Sequence, residues 1–339
     1  MHATGSDCRI DCARASTAAL RSHEGRIVST LTTALVTAFG AERVKIDAPL
    51  APLTTFKVGG PADVLFEPVN ADEILRALAI ARAAGQPVTM LGGGSNVLVS
   101  DRGLRGLVIR PREGTVNAVG VRLVRADAAI TINGLVRWTI NRGFAGLEAW
   151  AGTPGTVGGA IFGNAHWKRS NIGDLVESVR LVKPNGTLLQ APADRMEFAY
   201  DYSRLKRTGE IALWVAFRVT PGGDPAALRL VARESLSFRK QTQPLESPSA
   251  GCIFMNPDPS RDRIPDGMPP SAGALVDRAG LKGAVVAGAR VSPAHANFVI
   301  NDGTATAADI KRLIEQCRSA VKDRFGVTLR DEIISLGEF

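Results

Sequence analysis

The sequence predicts an α+β protein of two α/β lobes followed by a C-terminal α+β domain, and three observations predict it. At 339 residues the chain exceeds one ordinary core and suits two or three domains. Two glycine-rich stretches, residues 91–101 (LGGGSNVLVSD) and 149–164 (AWAGTPGTVGGAIFGN), each follow strand-like and helix-like segments. The run Thr220-Pro221-Gly222-Gly223 is the best candidate for a domain boundary.

Residues 1–23 mix Ser, Thr, Arg and Asp without periodicity and read as a flexible extension. From Glu24 the apolar residues Ile27, Leu31, Leu35 and Phe39 recur every four positions until Gly40, predicting an amphipathic helix. A short strand around Val44, a turn at Gly59-Gly60-Pro61 and a strand over 62–66 follow. Asn70 with Glu73 three residues on is a capping-box arrangement for a helix that Gly85 closes. Strands over 87–91, delivering the first glycine loop, and 107–110 complete a first lobe, residues 24–112.

The second lobe spans residues 113–222. Residues 119–126 alternate, 130–142 look helical with Gly143 as the stop, and the second glycine stretch comes next. Strands over 176–182, 187–190 and 211–219 follow, the first two joined by a Pro184-Asn185-Gly186 turn. The third domain, 223–339, holds a helix over 225–239, then a Gly-, Pro- and Ser-rich segment over 243–302. Thr306 and Asp309 open a helix with Ile310, Leu313, Ile314, Cys317, Ala320 and Val321 on its apolar face. The extreme C-terminus is expected to pack back on the first lobe.

The glycines at 152, 155, 158, 159 and 163 suit a helix or strand interior poorly, because each loses more backbone freedom and buries no side chain. Their use is close approach, in which successive N–H groups converge on an anion such as a pyrophosphate. Two such cradles suggest one large phosphate-containing ligand. Neither is a P-loop, since no Gly-Lys-Ser/Thr follows, and neither is the strand, GxGxxG and helix of a Rossmann fingerprint.

A content of 45% hydrophobic and 22% charged residues describes a soluble globular protein, with no apolar run near the roughly 18 residues of a membrane span. The net charge of +8 favours an anionic partner. With 5% aromatic residues and no basic block interleaved with them, an anionic metabolite is favoured over nucleic acid. Cys8, Cys12, Cys252 and Cys317 lack paired zinc spacing, so no metal site is expected. No signal peptide is read near the N-terminus, which predicts a cytoplasmic protein.

The stretches TTFKVGGPAD, LGGGSNVLVSD, GLEAWAGTPGTVGGAIFGNA, FAYDYSRLK, PSAGCIFMNP, SAGALVDRAGLKG, HANFVIN and LRDEI occur in this order over about residues 44–334. Together they resemble the UDP-N-acetylenolpyruvoylglucosamine reductase (UDP-N-acetylmuramate dehydrogenase) family, of its short, loop-lacking type. The resemblance implies a two-lobed FAD-binding region of the PCMH/vanillyl-alcohol-oxidase type and a substrate-binding C-terminal domain. It implies FAD and NADPH, and a hydride delivered to the enolpyruvyl ether of a UDP-sugar in peptidoglycan precursor synthesis. The protein is expected to act as a cytoplasmic monomer without membrane or nucleic-acid partners. Histidines occur only at 2, 23, 166 and 295, leaving the first lobe without a residue for a histidyl–flavin bond, so the FAD is expected to be non-covalent.

Carried over by motif, the cofactor residues are Thr55, Gly92, Gly93, Gly94, Ser95, Asn96, Thr153, Pro154, Gly155, Thr156, Gly158 and Gly159. The catalytic residues are Cys252, where the family has a proton-donating serine, Glu332 and Tyr200. Tyr200, Ser203, Arg204, Asn256, Lys282, His295 and Asn297 are expected around the substrate. A thiol is mostly protonated at neutral pH and is a stronger acid than a serine hydroxyl, so Cys252 keeps proton donation feasible. Two positions depart from the pattern: Asp201 stands where the family has an arginine, and Met255 where it has a lysine. They leave open compensation by Arg204, Arg239 or Lys282, an altered substrate, or a non-catalytic flavin or UDP-sugar binder.

Overall fold

A computed structural model describes residues 30–339. The N-terminal extension, Cys8, Cys12 and the start of the first expected helix lie outside the described residues.

The first lobe runs α1 (residues 30–39), β1 (Val44–Pro49), β2 (Pro61–Phe66), α2 (Ala71–Ala83), β3 (Val88–Met90), β4 (Val97–Val99) and β5 (Leu104–Ile109). Its sheet has the order β1-β2-β5-β3, antiparallel between β1 and β2 and parallel elsewhere. Leu31 and Leu35 of α1, Ala77 and Ala81 of α2 and the inward residues of β2 and β5 form one core. Asn70 caps α2 by accepting from Glu73 N–H at 2.9 Å. The Glu73 carboxylate, however, accepts from Val69 N–H (2.9 Å) and pairs with Arg43 (2.7 Å), so the second half of the expected box reaches past the cap residue.

The second lobe runs β6 (Val116–Val119), β7 (Leu123–Asp127), α3 (Ile132–Asn141), α4 (Val157–Phe162), β8 (His166–Trp167), β9 (Ser170–Asn171), β10 (Val176–Val182), β11 (Leu188–Pro192), α5 (Leu205–Thr208) and β12 (Ile211–Arg218). Its antiparallel sheet is ordered β11-β10-β12-β7-β6. The alternating run over 119–126 is not one strand. Gly120, at φ +64°, turns the chain and splits it into the β6–β7 hairpin.

Gly158 and Gly159 lie inside α4, against the expectation that these glycines avoid helix interiors. A Cβ at Gly158 would stand 3.0 Å from Ala128 Cβ, and its N–H donates to Ala128 O at 2.9 Å. Close packing of α4 on the end of β7 outweighs the propensity cost of about 1 kcal/mol per glycine.

The Thr220–Gly223 turn does not detach the next helix, α6 (Pro225–Thr242), from this lobe. Leu228 and Ala232 of α6 are buried in the second lobe's core, and Gly223 N–H bonds Gly143 O at 2.9 Å.

Beyond α6 come α7 (Ala272–Arg278), β13 (Val285–Val286), β14 (Ala289–Val291), β15 (Val299–Asn301), α8 (Ala307–Phe325) and β16 (Ile334–Leu336). Thr306 and Asp309 form the full capping box of α8. Asp101, from the first glycine stretch, adds acceptors for Ala307 and Ala308 N–H at 2.9 Å each. Strand β16 pairs in parallel with β4, and Phe56, Val58 and Leu98 share the core of the third domain. Among the described residues no helix is long and apolar enough to cross a membrane.

Candidate active site

The two glycine loops meet face to face. A Cβ at Gly92 would come 2.6 Å from Thr156 Oγ1, one at Gly93 2.7 Å from Gly155 Cα, and one at Gly155 2.6 Å from Ser95 Oγ. Thr55 N–H donates to Gly94 O at 3.0 Å, fastening the first loop to the segment before β2.

The loops differ in what they offer. In the second, Gly152 N–H is bound to Asn133 Oδ1, Thr153 to Trp150 O, Val157 to Ile130 O, Gly158 to Ala128 O and Gly159 to Thr156 Oγ1. In the first, the N–H groups of Gly92, Gly93, Gly94, Ser95 and Asn96 donate to no other described residue. A run of consecutive free amides is an anion-binding nest. The free donors therefore lie mainly in the first loop, with the amides of Gly155 and Thr156 in the facing second loop also donating to no other described residue.

One further buried group lacks a counter-charge. Arg239 is 5% exposed, lies 3.5 Å over the Trp167 ring, and donates from Nη2 to Thr153 Oγ1 at 2.8 Å. Its Nε has no partner among the described residues, and burial pulls its pKa down to about 10. Free amides, glycines that leave no room for a Cβ, and an uncompensated cation fit a large polyanionic cofactor.

Gly94 provides a stability test. At φ +63° its Cβ would lie 2.2 Å from Leu53 O, so the backbone must shift. Gly94→Ala is expected to cost about 1–3 kcal/mol or more of stability and to weaken flavin binding. Thermal melts with and without FAD read this, and an unchanged flavin affinity would remove the loop from the cofactor site.

The reactive end of the site is assembled from three distant segments. Ile253 N–H donates to Asn297 O (2.8 Å), and the Asn297 side chain brackets Phe254 by accepting from its N–H (3.0 Å) and donating to its O (2.8 Å). Glu332 N–H donates to Ile253 O at 2.8 Å, and Asn96 Nδ2 donates to Glu332 O at 3.1 Å. Cys252 and Glu332 are thereby set on neighbouring chains.

Tyr200 sits at the tip of a tight turn closed by reciprocal Ala199–Tyr202 backbone bonds, and its hydroxyl accepts from Asn256 N–H at 3.3 Å. The amide can only donate, so the phenolic proton stays available. The His166 ring lies 4.9 Å from that of Tyr200, linking this end to Trp167 and Arg239. Burial, then the charge of Arg239, lowers the His166 pKa.

Electrostatics favour protonated acids here. Burial, reinforced by the negative charge of Asp201, pushes Glu332 up to about 8 against the opposing charge of Lys206. Burial and then Glu332 raise the Cys252 thiol well above its ordinary value, against a hydrogen bond to Asn297. Tyr200 is pushed up to about 12, by burial first and by Glu332 second.

Other residues named from the motifs are engaged in the scaffold. Ser203 is fully buried, its Oγ donating to Phe162 O at 2.8 Å. Arg204 binds Glu210 through two bonds of 2.8 and 2.7 Å and donates to Arg195 O, so it brings no free cation to the site. Lys282 pairs with Asp277 at 3.3 Å; its charge, after burial, lowers the pKa of His295, whose Nδ1 accepts from Asn297 N–H. Asn256 Oδ1 accepts from Ala272 N–H at the start of α7. The cation the motifs left unweighed is Lys206, at 2.8 Å from Asp201. It stands in the same FAYDYSRLK run. Among the described residues no cluster of His, Cys, Asp or Glu could hold a metal ion.

Residues 62–191 match the family model of an FAD binding domain, and residues 243–336 that of the UDP-N-acetylenolpyruvoylglucosamine reductase C-terminal domain. A UDP-N-acetylenolpyruvoylglucosamine reductase of Parasynechococcus marenigrum is 38% identical over 87% of this chain and 96% of its own length. One from Anaeromyxobacter dehalogenans is 40% identical over 86% of this chain and 85% of its own. The crystal structure of the Thermus caldophilus enzyme superposes with a TM-score of 0.70 at 31% identity, covering 87% of this chain and 98% of that one.

Proposed function

The chain belongs to the UDP-N-acetylenolpyruvoylglucosamine reductase family, and from that premise we propose that Cys252, Glu332 and Tyr200 carry out its proton chemistry. The protein is an FAD-dependent oxidoreductase that uses NADPH to reduce the enolpyruvyl ether of UDP-N-acetylglucosamine, a CH–CH reduction of peptidoglycan synthesis. Bound FAD supplies the hydride relay between NADPH and the terminal carbon of the enol. The amides of Gly92–Asn96, faced by residues 153–156, would hold its pyrophosphate, and the FAD would be held non-covalently.

Hydride arrival at the terminal carbon leaves negative charge on the adjacent carbon and its carboxylate. Cys252, protonated throughout the neutral range, gives its proton to that carbon. Glu332, in its acid form below about pH 8, backs this transfer as a second general acid, its proton drawn toward the developing enolate. Tyr200 offers its free phenolic proton to the same group. The observation that carries this reading is the Glu332 N–H bond to Ile253 O at 2.8 Å, which joins the Glu332 segment to the residue next to Cys252.

We place the third domain from Gln243 onward, because α6 is packed in the second lobe's core. The cytoplasm, a monomeric state and service to cell shape and division belong to the same proposal.

The deciding experiment is an anaerobic visible spectrum of the flavin-loaded protein. NADPH is expected to bleach the flavin band and the UDP-enolpyruvyl sugar to restore it. A band that NADPH leaves intact, or that the sugar fails to restore, overturns the reading.

A further inference from the structure

Asp201 and Lys206 form an ion pair inside the site. Their side chains are 7% and 22% exposed, and Lys206 Nζ lies 2.8 Å from Asp201 Oδ2. Asp201 stands in the Tyr200 turn at φ +49°, its Oδ1 3.4 Å from where a Cβ of Gly163 would lie, and Lys206 reaches it from α5. Tyr200, the adjacent residue, is bonded to the Cys252 segment through Asn256 N–H.

An ammonium has three donors, and one bond to Asp201 leaves two. Of the neighbouring cations, Arg204 is paired with Glu210, Lys282 with Asp277 and Arg330 with Asp262, while Arg239 donates to Thr153 beside the glycine loops. Lys206 is the cation whose charge opposes the upward shift of Glu332.

Resting on the reductase reading above, we propose that Lys206 binds the carboxylate of the enolpyruvyl group, and that Asp201 is a positioning residue that holds its ammonium there. A free carboxylate replaces water on the two remaining donors, a charge-assisted contact in a half-buried setting. Asp201 keeps the long lysine side chain from swinging to solvent. Because the Asp201–Lys206 pair is neutral as a whole, it admits the carboxylate without a large field that would discharge Glu332.

The test is equilibrium binding to the FAD-loaded oxidised protein, by calorimetry, of the UDP-enolpyruvyl sugar and of UDP-N-acetylglucosamine, which lacks the carboxylate. Lys206→Met is expected to weaken the first ligand at least tenfold and to leave the second within twofold, while Lys206→Arg restores most of the difference. Asp201→Ala is expected to weaken the first ligand several-fold, and the Asp201→Ala/Lys206→Met double variant to bind no worse than Lys206→Met alone. Equal weakening of both ligands, no weakening of either, or additive losses in the double variant overturns the proposal. Wild-type protein that binds neither UDP-sugar would instead overturn the functional reading on which it rests.

Discussion

Glu332→Gln is expected to lower turnover by about 10²–10⁴-fold, the range of a lost general acid. Glutamine keeps the size of the side chain and both backbone anchors, to Ile253 O and from Asn96 Nδ2, so the fold is retained. It removes the carboxyl proton. In the unaltered protein turnover should fall as pH rises through about 8, where burial and Asp201 set the Glu332 titration. Stability follows the same sign. A carboxyl raised in the folded state binds its proton more tightly there, so its contribution is full below its ordinary value of 4.5 and lost as pH rises from there through about 8. A pH–rate profile of the variant should lack the alkaline limb. Full turnover in Glu332→Gln, or an alkaline limb unchanged by it, would sink the assignment.

Cys252→Ala should produce a loss of similar size, about 10²–10⁴-fold, while Cys252→Ser stays within about tenfold of the unaltered protein. The serine supplies a proton at nearly the same place; the alanine supplies none. Because burial and Glu332 hold the thiol protonated, iodoacetamide should alkylate Cys252 slowly at pH 7, since the thiolate is the attacking form. Cys317, buried in the apolar face of α8, is an inert internal comparison. Rapid alkylation at pH 7, or an alanine variant with undiminished turnover, would remove Cys252 as the proton donor.

What the sequence made legible was local. The Asn70 cap, the Thr306/Asp309 box and the turn after Lys183 each involve residues within a few positions, so their signals sit in one window. The order of motifs likewise disclosed the family. What it hid depends on contacts between distant segments. Nothing in LGGGSNVLVSD says that Asp101 caps α8, or that Asn96 holds the carbonyl of Glu332. The burial of Arg239 against Trp167 is invisible for the same reason.

Other misreadings trace to applying a sound rule without its tertiary context. Glycines argue against helices until a neighbouring chain, here Ala128, comes too close for any side chain. An alternating apolar pattern argues for one strand until a left-handed residue, here Gly120, folds it in two. Lys206 was hidden differently: in the linear sequence it is one more basic residue. Only the Tyr200–Asp201 turn brings its ammonium to a carboxylate inside the site.

The pairing of β16 with β4 has a consequence for the order in which a working site comes into being. Every donor in the glycine loops, the Tyr200 turn and Cys252 is synthesised before Glu332, and Glu332 is held from two sides by residues made long before it. A nascent chain can build its flavin cradle first and receive its second acid last, when the segment after α8 threads back beside β4. Until then, a chain holding every residue of the glycine loops would still lack the carboxyl of Glu332, so the pairing of β16 with β4 is the step that completes the set of acids.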